Sequence, residues 1–120
     1  MIEKIGVLGA GSMGAAVAAL AASAGLEVIL LDVKGQDDLA GPARRGLERA
    51  AKQRAFLDPS AIERVRVGNV EDDLGLLADC DWVLEAIIEN REAKRDLFRR
   101  LHSVLPPQTI VTTNTSTFTL

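Results

Sequence analysis

Apolar residues along this chain come in short blocks whose spacing switches between a strand-like and a helix-like period. Ile5 to Leu8 is a compact apolar run, followed by a cluster of glycines and a helical stretch from about Met13 to Ala24. On that stretch Met13, Val17, Leu20, Ala21 and Ala24 recur at helical spacing and predict its buried stripe. Most other positions are alanine, which lets a helix approach a sheet closely, and Gly25 is placed to cap its end. Val28 to Leu31 is a continuous apolar run ending in Asp32, the pattern of a strand covered on both faces and hence of a parallel sheet.

The pattern then repeats. Leu39, Ala43, Leu47 and Ala50 predict an amphipathic helix whose other side carries Arg44, Arg45, Arg49, Lys52 and Arg54. Gly46 weakens it by about 1 kcal/mol relative to alanine. A turn at Asp58-Pro59-Ser60 precedes a short strand at Val65-Arg66-Val67, and Glu71-Asp72-Asp73 reads as a solvated acidic turn. Trp82 to Ile88 predicts a fourth strand. Asn90 can cap a helix with Ala93, Leu97, Leu101 and Val104 as its stripe, and Pro106-Pro107 ends that helix. Thr109 to Thr113 is a fifth strand by its β-branched content, followed by the polar run Asn114 to Thr117. Strands alternating with helices predict an α/β fold, a doubly wound parallel sheet in a three-layer α/β/α arrangement with right-handed crossovers, filling one domain over residues 1–120. Such sheets bind ligands beyond the carboxyl ends of their strands.

The 120 residues, 48% hydrophobic and 26% charged, suit one folded core. A net charge of −3 argues against nucleic acid as a partner. Cys80 is the lone cysteine, which excludes an intramolecular disulfide and favours a reducing, cytoplasmic setting. Gly25 and Glu27 interrupt the apolar run from Met13 to Leu31, so no membrane segment is expected, and no basic flank marks a signal peptide.

Gly9-Ala10-Gly11-Ser12-Met13-Gly14 lies between the first strand and its helix, where the fingerprint of a Rossmann-type dinucleotide-binding fold belongs. Gly9 permits the tight turn, Gly11 lets the backbone approach a pyrophosphate, and Gly14 allows close packing of helix on strand. The helix's first N–H groups then face the phosphates. Asp32 follows Gly14 by 32 − 14 = 18 positions, the place of an acid that binds the adenosine ribose. A 2′-phosphate there would meet like charge, so NAD is expected rather than NADP; Lys34 is the one nearby cation that could offset the repulsion. No metal site is expected.

With these residues in view the chain resembles the NAD-binding domain of the 3-hydroxyacyl-CoA dehydrogenases. The resemblance is carried by Gly9 to Gly14, Asp32, the block Asp81 to Asn90, the helix residues Lys94, Leu97 and Phe98, and Asn114-Thr115-Ser116. It implies that Ala86, Glu89, Lys94 and Ser116 contact the cofactor's ribose and nicotinamide side, and that Asn114 and Ser116 sit beside the nicotinamide and the substrate's 3-hydroxyl group. The implied substrate is an acyl-CoA thioester of the fatty-acid β-oxidation type. The basic side of the second helix resembles the region where members contact coenzyme A, but a solvated helix face is the stronger reading, so no coenzyme A contact is assigned to it. Glu85, inside a predicted buried strand, reads as structural and hydrogen-bonded, His102 as a helix-end histidine, and Cys80 as unreactive.

The histidine–glutamate pair with which members move the hydroxyl proton lies downstream of the Asn-Thr-Ser block, and no histidine follows His102. The expectation is therefore an N-terminal part of a longer enzyme, inactive alone, whose helical C-terminal domain closes the substrate site and dimerises. Two alternatives stay open: a related dehydrogenase acting on a sugar acid or small 3-hydroxy acid, and a dinucleotide-binding module without chemistry.

Overall fold

The computed structural model of the chain describes residues 2–87 and 91–113. Five strands, β1 (Lys4–Leu8), β2 (Glu27–Asp32), β3 (Val65–Asn69), β4 (Trp82–Glu85) and β5 (Ile110–Thr113), form one parallel sheet in the order β3-β2-β1-β4-β5. Parallel neighbours cannot be joined by tight turns, so the helices α1 (Ser12–Ser23), α2 (Gly41–Lys52) and α3 (Arg91–Val104) lie in the connections. The winding reverses at β1: β2 and β3 lie on one side, β4 and β5 on the other. The alternation of strand side chains builds two cores. Ile5 and Val7 of β1 join Val28 and Leu30 of β2 beneath the alanines of α1 and α2. Leu8, Ile29, Leu31 and Val83 face the other way, against Leu97 and Leu101 of α3 and Leu77. The three-layer doubly wound sheet expected from the pattern is the fold observed.

Several local expectations are corrected. On α1 the buried face is Gly14, Ala15, Ala18, Ala19 and Ala22, whereas Met13 and Leu20 are each 54% exposed. Size outranks hydrophobicity here, because a Cβ on Gly14 would drive into the Gly9 carbonyl oxygen and the helix therefore lies too close to the sheet for long side chains. Leu39 precedes α2 and is exposed. The strand predicted to reach Ile88 ends at Glu85, where its partner β1 also ends, Leu8 pairing with Glu85. Residues around Pro59–Arg64 and Leu74–Asp79 are 3-10 turns; the first is capped by Asp58, whose carboxylate accepts from the Ser60 amide at 3.0 Å. The acidic turn is organised rather than merely solvated. Asp73 accepts from the Asn69 amide at 2.8 Å, and the Asn69 side chain in turn accepts from the amides of Glu71 and Asp72. The expected Asn90 cap lies outside the described residues.

Candidate functional site

Open α/β sheets bind ligands where the winding reverses, at the strands' carboxyl ends. Here that point lies between β1 and β4, and the glycine turn occupies it. Gly9 adopts φ +105°, a left-handed conformation suited to glycine, and its amide donates to the Leu31 carbonyl at 2.7 Å. A Cβ on Gly9 would stand 2.8 Å from the carbonyl carbon and oxygen of Ala86. Ala86 is itself held by its amide donating to Leu8 at 2.7 Å. Two loops thus meet at the floor of the crevice.

Gly11 differs in kind. Its φ is −69°, open to any residue, and a Cβ there would meet no described protein atom within 4 Å. It is also the residue preceding α1, where Ser or Asp would add a side-chain cap worth a few tenths of a kcal/mol over glycine, and no side chain caps this helix. The exposed Gly11, Ser12 and Met13 therefore surround a helix start whose first N–H groups have no intrahelical acceptor. A diphosphate fits this place: it needs backbone contact unhindered by a side chain and donors with a favourable dipole.

Asp32, at the end of β2, accepts from the Ala10 amide at 2.8 Å through Oδ2 and from the Val33 amide at 2.7 Å through Oδ1. A carboxylate has about four lone-pair positions, so each oxygen keeps capacity for a ribose hydroxyl. Asp32 therefore does two things at once, bracing the glycine turn and presenting an anion beside it. Lys34, the cation that could have welcomed a 2′-phosphate, is paired with Asp72 at 3.1 Å. Beside it Val33, Val70, Ile87 and Leu97 line a small groove with Lys34, Glu71 and Arg100 at its edge.

Below the end of β4 sits a buried ion pair. Glu85 is 0% exposed and Lys94 3%, and the Lys94 ammonium donates to both carboxylate oxygens, at 3.1 and 3.0 Å. Glu85 also accepts from the Ile87 amide at 2.7 Å and from the Thr113 hydroxyl at 2.7 Å. One carboxylate thereby ties β4, α3 and the end of β5 together. The structural reading of Glu85 is correct, and Lys94, expected at the cofactor, has its ammonium buried against that carboxylate. Glu89, Asn114 and Ser116 lie outside the described residues. His102 is exposed in the last turn of α3. Cys80 is buried, and that burial pushes its thiol up to about 11, as expected of an unreactive cysteine.

Two contributors were missed. Arg49 donates from Nη2 to the Ala10 carbonyl at 3.0 Å, and a Cβ on Gly46 would collide with Ala10. Both belong to α2 and hold the glycine turn from behind. In the sequence Gly46 was only a weak point in a helix and Arg49 one of several surface cations. The presence of a helix-weakening glycine was the one available signal.

Among the described residues no helix is long and apolar enough to cross a membrane. Comparison with known proteins matches residues 4–120 to the family model described as 3-hydroxyacyl-CoA dehydrogenase, NAD binding domain. A Deinococcus radiodurans protein described as a probable 3-hydroxyacyl-CoA dehydrogenase is 48% identical over 119 residues, covering 96% of this chain and 34% of its own length. The chain thus spans about a third of that relative. Among solved structures, a diketoreductase acting on dicarbonyl compounds matches with a TM-score of 0.80 at 30% identity, over 98% of this chain and 43% of that one. The 3-hydroxybutyryl-CoA dehydrogenase of Escherichia coli K12 matches with a TM-score of 0.75 at 34% identity, over 98% of this chain and 25% of that one.

Proposed function

Because this chain belongs to the 3-hydroxyacyl-CoA dehydrogenase NAD-binding domain family, we propose that it holds NAD for an enzyme that oxidises the 3-hydroxyl group of an acyl-CoA thioester to a ketone. NAD, when bound, supplies the hydride acceptor. The observation that carries the reading is Gly11, a glycine that neither backbone conformation nor protein packing demands, standing before an uncapped helix start. The N–H groups at the start of α1 receive the diphosphate. Asp32 receives the adenosine ribose hydroxyls and repels a 2′-phosphate, with Lys34 already engaged by Asp72, so NAD is preferred to NADP.

On the family likeness, Ala86, Glu89 and Lys94 face the ribose and nicotinamide side. Asn114 and Ser116 stand beside the nicotinamide and the 3-hydroxyl group. The buried pair with Glu85 fixes where the Lys94 ammonium can reach. The proton-transferring histidine–glutamate pair belongs to the portion of the relatives that this chain does not span. The same portion supplies dimerisation through a helical domain. The setting is cytoplasmic fatty-acid β-oxidation.

The test replaces the corresponding third of the Deinococcus radiodurans relative with residues 1–120 and follows NADH absorbance. The fusion is expected to reduce NAD with 3-hydroxybutyryl-CoA or a longer 3-hydroxyacyl-CoA, and the chain alone to bind NAD without turnover. NAD binding with turnover of a small 3-hydroxy acid or sugar acid but no thioester would overturn the substrate class. Absence of NAD binding would overturn the cofactor assignment.

A further inference from the structure

Contacts from two directions converge on one residue of the glycine turn, Ala10, through the two peptide units that flank it. The Ala10 amide donates to Asp32 at 2.8 Å, and the Ala10 carbonyl accepts from Arg49 at 3.0 Å. Ala10 is 2% exposed, and Gly46 lies so close that a side chain there would collide with it. The half of the turn that precedes Gly11 is therefore gripped by β2 on one side and α2 on the other. The described peptide bonds are trans, so a carbonyl and the N–H that follows it point in opposite directions. Holding the Ala10 carbonyl on α2 turns the Gly11 N–H away from α2 and sets the direction in which the chain enters α1.

The packing of α2 does not require an arginine at this position. Its buried residues are Gly41, Ala43, Gly46, Leu47 and Ala50, while Arg49 lies on the exposed side and reaches back to a loop carbonyl. Ordering a long, flexible side chain carries an entropic cost, and the contact it makes is with the turn rather than within its own helix. A helix-weakening glycine at the point of closest approach serves the same contact.

We propose that Arg49 is a positioning residue for the dinucleotide's diphosphate: by clamping the Ala10 carbonyl it holds the donors of the glycine turn in their binding arrangement before the ligand arrives. The proposal rests on the reading of this turn as the cofactor site. Arg49 acts through the turn, so its removal affects ligands that carry the diphosphate and spares those that engage only Asp32 and its groove. Preorganised donors spare the ligand the cost of ordering them.

The experiment measures dissociation constants of the chain for NAD by calorimetry and for adenosine by NMR titration, alongside thermal midpoints. Arg49→Met keeps the aliphatic stem and removes the donors. It is expected to weaken NAD about tenfold, the scale of one hydrogen bond from a charged donor, and to leave adenosine within about twofold. Arg49→Lys, which retains a cationic donor, should recover part of the loss. Gly46→Ala, which pushes α2 off the turn, should reproduce the split between the two ligands. An unchanged NAD constant in Arg49→Met, or NAD and adenosine weakened alike, overturns the proposal while the cofactor reading stands. Failure of the wild-type chain to bind NAD overturns both.

Discussion

Replacing Asp32 with alanine removes one carboxylate that braces the fold and, in the proposed function, receives the ligand, and the two losses are separable. The Ala10 amide, 2% exposed, loses its acceptor at 2.8 Å. A buried amide left unsatisfied costs about 1–3 kcal/mol, which for a domain of this size lowers the thermal midpoint by roughly 4–12 °C. The Val33 amide is exposed and can turn to water at little cost. The ligand loss is independent of this. Two ribose hydroxyls forfeit a charged acceptor worth about 1.5 kcal/mol or more each, so NAD should bind on the order of 100-fold more weakly. NADP should weaken far less, because the same change removes the like charge that repelled its 2′-phosphate. Asp32→Asn sharpens the test, since it keeps a carbonyl acceptor for Ala10 but not the charge: stability should largely return while the preference for NAD does not. The measurements are calorimetric titrations with NAD and NADP well below the midpoint, and scanning calorimetry of the variants. Asp32→Ala binding NAD within about threefold of wild type, or Asp32→Asn retaining the full preference, would refute the reasoning.

Other consequences follow from buried and end-of-strand groups. Lys94→Met leaves the buried Glu85 carboxylate without its cation and should cost about 3–5 kcal/mol in urea denaturation, while the double change with Glu85→Leu recovers much of it; a loss under about 1 kcal/mol would show that the pair is not buried as described. Burial holds the Cys80 thiol at about 11, so iodoacetamide at pH 8 should alkylate the unfolded chain quickly and the folded chain slowly. Equal rates would contradict its burial. Asp81 accepts from the amides of Glu3 and Lys4, at 2.8 and 3.1 Å, and these bonds hold its carboxyl below the ordinary 3.8. A group whose pKa is depressed by folding contributes stability above the unfolded value and loses it as pH falls through the folded one. The thermal midpoints of wild type and Asp81→Asn should therefore differ at neutral pH and converge in acid below 3.8; a gap that persists there would rule the carboxylate out as its source.

What could be read from the sequence alone was what depends on near neighbours along the chain. The doubly wound sheet follows from apolar runs alternating with helical stripes, and the tight turn between β1 and α1 from its glycines, with Asp32 at the end of the next strand. The partnered state of Glu85 was also legible, because an acid inside a buried strand is untenable alone. What only the tertiary structure decided was which surfaces come close enough to make size matter. The alanines and Gly14 announce a close approach of α1 to the sheet but not which face makes it, so Met13 and Leu20 looked like core by hydrophobicity, while the small residues that permit the approach are the true face. The same holds for the backing of the turn. Arg49 reaches a carbonyl 39 positions earlier and Asp32 an amide 22 positions earlier, and such contacts come into existence only when the crossovers bring α2 and β2 beside the end of β1. Periodicity is a property of the chain, whereas proximity between distant segments is a property of the packed sheet.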